Sequence, residues 1–467
     1  MLLFNTLTRE KEEFNPLKDG VAGVYTCGPT VYDFAHIGNL RAFLFADILK
    51  RTLLHTGFKV NLIMNITDVG HLTGDRDMGE DKLAAAAAAV GKTAWEVASY
   101  YTDAFLRDVK ELNIILPDKL PKATDHIKEM ITLIAELEKK GFTYRTSDGI
   151  YFDTSKLKDY GKLARLDLEG LREGARVEIN KEKKNPTDFA LWKFSTPSSS
   201  PPSHGGESKR DMEWESPWGV GFPGWHVECS AMSVKYLGQP FDIHTGGVDH
   251  IPIHHTNEIA QSEAAAGKPL ANFWLHSEFL MVDERRMAKS EGNLITLEEL
   301  KKRGFTPLAY RYFILGGHYR SKMNFTDEAM RGAQNALDNL YALTAEAKEP
   351  KIGCAEYEKQ FFAEVEDDLN TPEALAVMWQ MLKSDYPAEA KLQSLLEFDK
   401  ILGLSIKETW EELRRPLPLE IQKLVIEREK NRALSNWGAA DAFREQIKKA
   451  GFDIKDTDSG PIVRRKA

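Results

Sequence analysis

The stretch from Ala22 to Met64 constrains the fold of this chain more than any other. Residues 22–27 (Ala-Gly-Val-Tyr-Thr-Cys) read as a short buried strand, and Gly28-Pro29 turns the chain at its end. From about Gly38 to Thr56, Leu40, Phe43, Leu44, Ile48 and Leu49 recur at helical spacing, and Val60 to Met64 reads as a second buried strand. Strand, turn, helix and strand make a parallel crossover unit, so the expected class is α/β with a Rossmann-like parallel sheet. Ligands of such sheets bind just beyond the carboxyl ends of the strands, where a helix N-terminus offers free N–H groups to a phosphate. His36-Ile37-Gly38-Asn39 occupies that position. Gly38 permits close approach of a nucleotide, and His36 and Asn39 can donate hydrogen bonds as charge builds at phosphorus. By themselves these four residues are also what a capped helix with a half-buried histidine would show.

Downstream, Asp81 to Leu112 reads as one helix through the six alanines at 84–89, and 125–140 as another. Tyr144 to Phe152, with Asp148-Gly149 between apolar flanks, reads as a hairpin. The Ser/Pro/Gly-rich stretch 196–209 is expected to be an exposed loop. Phe241 to His244 and Phe279 to Val282 read as further buried strands, and the chain is helical from about 308, over 308–345 and 357–403. Arg414-Arg415-Pro416-Leu417-Pro418 sets off a last small unit. The expected domains are 1–120 and 223–307 as two halves of a catalytic domain, 121–222 as a connective insertion, 308–414 as a helical domain and 415–467 as a small α+β domain.

The 467 residues are 42% hydrophobic and 28% charged, an ordinary globular balance. No apolar run approaches the roughly 18 residues that cross a bilayer, and Met1 to Asn5 begins no secretory leader. Three widely spaced cysteines exclude a disulfide framework and point to a reducing cytoplasm. A net charge of −9 speaks mildly against a polyanion partner, although local patches such as Lys183-Lys184 and Lys301-Lys302-Arg303 can override a global sum. No dimerisation stripe is visible, so a monomer is expected.

Two further constellations carry chemistry. Arg286-Met287-Ala288-Lys289-Ser290 follows the strand at 279–282 and puts two cations on a polar loop, suited to close over a leaving pyrophosphate. Cys27 ends the first strand, Cys229 sits in Gly224-Trp225-His226-Val227-Glu228-Cys229, and a helix over 254–266 would place His254 and Glu258 one turn apart. Two thiolates, an imidazole and a carboxylate suit zinc. Buried small cysteines and a satisfied core histidine are the alternative, and Cys354 stands apart.

Taken together, the segments Tyr25–Tyr32, His36–Asn39, Asn65–Asp68, Ser216–Gly219, Pro223–Met232, His254–Ser262, Met287–Asn293, His318–Ser321 and Asp367–Glu373 resemble the cysteinyl-tRNA synthetases, a class I family. The resemblance covers essentially the whole chain. It implies an ATP-dependent ligase that forms cysteinyl adenylate and passes L-cysteine to tRNA(Cys), with Mg²⁺ on the phosphates. It implies one zinc held by Cys27, Cys229, His254 and Glu258, which takes the substrate thiolate and so selects cysteine. Gly28, His36, Gly38, Asn39, Arg286 and Lys289 would hold ATP, with His36, Asn39 and Lys289 stabilising the reacting charge. Cys27, Thr67, Trp225 and Asp249 would border the substrate cysteine. Arg432, Trp437, Asp441 and Asp456 would meet the anticodon, although core packing explains Trp437 equally well. Asn39, Arg286, Ala288 and Thr256 depart from the commoner residues of the family, and 196–209 resembles an insertion.

Overall fold

The computed structural model describes residues 1–70, 82–166, 182–195, 211–287, 293–457 and 460–465. The loop expected at 196–209 and the residues Ala288 and Lys289 therefore lie outside the described residues. Residues 1–307, 317–326 and 366–370 make one unit, and 308–316, 327–365 and 371–467 a second.

The chain opens with an antiparallel pair, β1 (Leu2–Asn5) and β2 (Glu10–Glu13), before the central sheet begins. That sheet takes β3 (Val21–Thr26), then α1 (Ile37–His55), then β4 (Lys59–Met64), close to the expected crossover. β9 (Phe241–Gly247) then pairs with the other edge of β3, and β10 (Ala271–Ser277) lies outside β9, giving the order β10-β9-β3-β4, all parallel. Strands of such a sheet are covered on both faces, which is why β3 and β4 end in unbroken buried runs. The chain leaves β3 towards β4 on one side and returns to β9 on the other, so the strand order reverses between β3 and β9.

Helix α1 is buried almost all round, and its charged residues are each answered. Arg51 pairs with Asp47 at 2.8 Å, and Lys50 with Asp118 at 3.0 Å. Arg41 donates to the carbonyls of Phe279 (2.5 Å), His318 (3.2 Å), Tyr319 (3.4 Å) and Ser321 (2.5 Å).

Two expectations need correction, and one strand finds its partners elsewhere. The alanine-rich helix is two helices, α2 (Lys82–Val90) and α3 (Ala94–Glu111). Gly91 at φ +64° turns the chain out of α2, and Thr93 with Glu96 forms a capping box that starts α3. These end signals outweigh the propensity of the alanine run. The strand at 279–282 forms as expected, as β11 (Leu280–Val282), in a sheet separate from the central one. It pairs with β12 (Arg285–Arg286) and β13 (Met323–Phe325), because an apolar run does not specify its partner. The long helices after 308 are also interrupted. α8 (Pro307–Leu315) and α9 (Asp327–Ala345) flank β13, and Asp368 and Leu369 at positive φ separate α10 (Ala355–Glu366) from α11 (Thr371–Lys383). The hairpin at 143–152 forms as expected, as β5 (Thr143–Arg145) with β6 (Gly149–Phe152), in an antiparallel sheet completed by β7 (Phe189–Phe194) and β8 (Gly221–Pro223). The chain ends in two helices, α14 (Leu419–Ala433) and α15 (Trp437–Lys449), and the hairpin β14 (Phe452–Thr457)/β15 (Gly460–Arg465). Among the described residues no helix is long and apolar enough to cross a membrane.

Arg41→Met would take a buried guanidinium away from four carbonyls, of which those of Phe279, His318 and Tyr319 keep a backbone N–H donor. We expect a loss of about 3 kcal/mol, read as a lower urea midpoint of the first unit. An unchanged midpoint would show these bonds to be dispensable.

Candidate active site

Where β3 and β9 part, a cavity of about 450 Å³ opens, lined from the ends of all four central strands. Cys27 to Asn39 follow β3, Asn65 and Thr67 follow β4, Gly246 to His254 close and follow β9, and Ser277 ends β10. Gly28 lies against the next strand end: a Cβ there would sit 1.7 Å from the Asn65 carbonyl oxygen. Its N–H donates to Asn65 Oδ1 at 2.9 Å, Asn65 Nδ2 donates to Thr67 Oγ1 at 3.0 Å, and Thr67 donates to Glu228 at 3.1 Å. Three chain segments are thus locked together beneath the cavity.

His36 caps α1. Its Nδ1 accepts from the Asn39 N–H at 3.3 Å, and the Asn39 side chain accepts from the His36 N–H at 3.2 Å. Burial lowers the His36 pKa against the opposing carboxylates of Asp249 and Asp33, so the ring is a neutral donor and acceptor. A Cβ on Gly38 would meet Met287 at 2.5 Å, so glycine lets the segment after β11 close over the helix end. Arg286 lines the cavity with its guanidinium 4.4 Å from the Phe279 ring centre. Lys289 lies outside the described residues.

Cys27, Cys229 and His254 line the cavity, and the two sulfurs and a nitrogen of His254 lie with an oxygen of Glu258 within 4.8 Å of one another, all four residues being buried. Cys229 comes from α5 (Trp225–Leu237). His254 comes from a π-helical turn, Ile251–His255, that runs straight into α6 (Thr256–Ala266). This continuity sets His254 and Glu258 one turn apart, with Nε2 and Oε1 at 3.0 Å. Burial disfavours a charge on His254, but Glu258 and Cys229 outweigh it and raise its pKa to about 10. Burial likewise opposes the Glu258 carboxylate, but His244 and His254 hold its pKa down at about 2. Burial pushes the Cys27 thiol up, while its hydrogen bond to Cys229 lowers Cys229. Trp225, the first residue of α5, packs its ring 4.8 Å from that of His254, and Asp249 lies at the cavity edge in the short turn Val248–His250.

Several residues here were not singled out from the sequence. His226 faces His254 across 3.0 Å, His244 reaches Glu258 Oε2 at 3.0 Å, and His255 reaches Cys27 at 3.3 Å. A signal existed: six of the twelve histidines fall between 226 and 276.

In the second unit, Arg428 is 1% exposed and grips Asp456 with both terminal nitrogens, at 2.8 and 2.7 Å. Arg444 and Arg432 each reach the same carboxylate at 3.1 Å. Arg432 also lies 5.6 Å from the ring centre of Trp437, which is 57% exposed rather than packed in a core. Asp441 stands exposed one turn beyond Trp437 on α15. The structure therefore gathers Arg432, Trp437 and Asp456, organised by Arg428, which the sequence reading missed.

Residues 13–335 match the family model of the class I (C) tRNA synthetase catalytic domain. Cysteine–tRNA ligase 1 of Burkholderia lata is 47% identical over 461 residues, covering 98% of this chain and 96% of that protein. Cysteine–tRNA ligase of Treponema denticola is 45% identical, covering 97% of each. Among solved structures, methionyl-tRNA synthetase of Mycobacterium tuberculosis bound by methionyl-adenylate matches with a TM-score of 0.58 at 16% identity, over 85% of this chain and 94% of that one, a likeness of fold. With the family model covering the elements that build the cavity and relatives matching nearly end to end, the chain belongs to the cysteinyl-tRNA synthetase family of class I, which are ATP-dependent ligases.

Proposed function

We propose that the chain activates L-cysteine with ATP and transfers it to the 3′ end of tRNA(Cys), using a zinc ion to recognise the thiol. One observation carries this reading: two thiols, an imidazole and a carboxylate converge at a cavity whose wall includes the capped N-terminus of α1. The donor set fits zinc, with two soft sulfurs, one nitrogen and one oxygen. Bound there, zinc would offer the substrate thiolate a coordination position that serine or alanine cannot fill, and a whole missing bond discriminates without editing.

The chain's own residues do the rest. Thr67, Trp225 and Asp249 border the amino acid, and Asp249 offers a carboxylate to its ammonium group. His36, Asn39 and the backbone N–H groups around Gly38 face the phosphates, Mg²⁺ accompanies ATP, and Arg286 and Lys289 supply positive charge as pyrophosphate leaves. Arg432 and Asp456 beside the exposed ring of Trp437 offer polar edges and a stacking face to anticodon bases.

ATP–pyrophosphate exchange on the zinc-loaded protein, before tRNA is added, tests activation. Cysteine should support strong exchange and serine none, and equal exchange with both would sink thiol recognition. His254 and Cys27 hold their protons through neutral pH, and zinc must displace them. Apparent zinc affinity should therefore rise by roughly tenfold to a hundredfold per unit from pH 6 to 8 in chelator competition. A flat profile would remove these two residues from the ligand set. Trp437→Ala should raise the KM for tRNA by about fivefold to a hundredfold with exchange unaltered, since a stacked base is worth about 1–3 kcal/mol. Unchanged charging would return Trp437 to an ordinary surface role.

A further inference from the structure

Behind the sulfur of Cys27 runs a line of three buried polar side chains. His255 Nε2 lies 3.3 Å from Cys27 Sγ. His255 Nδ1 lies 2.7 Å from His276 Nε2, and His276 Nδ1 lies 2.8 Å from Thr6 Oγ1. Thr6, His255 and His276 are each at most 3% exposed. The far end is fixed independently of the metal site. The Thr6 N–H donates to the Trp274 carbonyl at 2.8 Å, the Trp274 N–H donates to Asn5 Oδ1 at 3.1 Å, and Asn5 Nδ2 donates to the Asn272 carbonyl at 3.0 Å. The chain just after β1 is thereby laced to β10 with the Thr6 hydroxyl against His276.

With neutral rings, only two arrangements of protons satisfy this line. In one, Cys27 keeps its thiol proton and every hydrogen bond runs away from the sulfur. In the other, the sulfur accepts, either as a thiolate or with its own proton turned to Glu258 Oε1 at 3.9 Å, and every bond of the line runs towards it: Thr6 O–H to His276 Nδ1, His276 Nε2–H to His255 Nδ1, His255 Nε2–H to Cys27. A metal-bound cysteine is a thiolate, so the second arrangement belongs to the loaded site.

We propose that Thr6 and His276 fix the tautomer of His255, making it a hydrogen-bond donor to the Cys27 sulfur that orients this ligand and sets how strongly it binds the metal. His255 and His276 are positioning residues, and the inference rests on the zinc reading above. A competing arrangement is present, because Cys27, His244, His255 and Glu258 also lie within 4.8 Å of one another and could hold an ion themselves. That inner set is the poorer site for a substrate-binding ion. Cys27, Cys229 and His254 line the cavity, whereas His244 and His255 do not.

The test uses the full chain loaded with zinc or with cobalt, whose thiolate charge-transfer absorption reports the metal–sulfur bond. Thr6→Val removes the hydroxyl at nearly constant volume, and Thr6→Ser restores it. The valine variant should shift the charge-transfer band and weaken zinc binding about tenfold in chelator competition. The serine variant should recover both, with one ion per chain throughout. Should the valine variant fail to fold, His276→Gln supplies the same two readouts. A band and affinity identical to wild type in whichever variant folds, or failure of serine to rescue, overturns the proposal. Two ions per wild-type chain overturn it as well, because His255 would then be a ligand. A wild-type chain that takes up no ion overturns this inference and the zinc reading together, whereas normal uptake with an unresponsive Thr6 overturns only the inference.

Discussion

The pairing of β3 with β9 is the contact on which the rest of the site depends. It sets Tyr25 opposite His244 and Thr26 opposite Thr245, and it brings together two strand ends that are more than 200 residues apart in the chain. Cys27 leaves one end, and the turn that carries His254 and Glu258 leaves the other. Because both strands run the same way, their carboxyl ends open on the same edge, and the connections depart to opposite sides. The cavity is the space between those departures, so the candidate metal ligands, the cap of α1 and the segment after β10 share one opening although they come from separate stretches of the chain.

Placing charge at that site is costly, and the surroundings are arranged to meet it. A carboxylate with no exposure could not remain ionised without compensation. Glu258 takes His244 on one oxygen and His254 on the other. Cys27 takes His255 on its sulfur. The histidines therefore do two kinds of work: one stands where a metal would collect its ligands, and others hold those ligands from behind. The same economy recurs in α1, where each buried cation has an anion or a set of carbonyls, and around Asp456, where three arginines share one carboxylate.

Much of this was legible from local pattern. The crossover of strand, helix and strand follows from periodicity, and the helix-end segment His36–Asn39 from its place after a strand. The four candidate ligands were legible because cysteine, histidine and glutamate are few and chemically distinctive, and because His254 and Glu258 needed only helical spacing. The break at Gly91 was also written locally, in a glycine followed by a capping box, and was passed over because a run of alanine favours helix so strongly. The placement of β11 was not legible, since a buried apolar strand suits either sheet.

What the sequence determined by itself was everything that short-range geometry decides: which segments are strand or helix, where a helix begins, and which side chains could act as acid, base or ligand. Only the tertiary structure decided which of them meet. Thr6 reaches His276 across 270 positions and His255 reaches Cys27 across 228. Such contacts arise from strand order and from the lacing of β1 to β10, and no spacing rule within either segment encodes them. The exposure of Trp437 was settled in the same way, because an aromatic residue at helical spacing suits a core or a surface equally, and only the packing of its neighbours chooses between them.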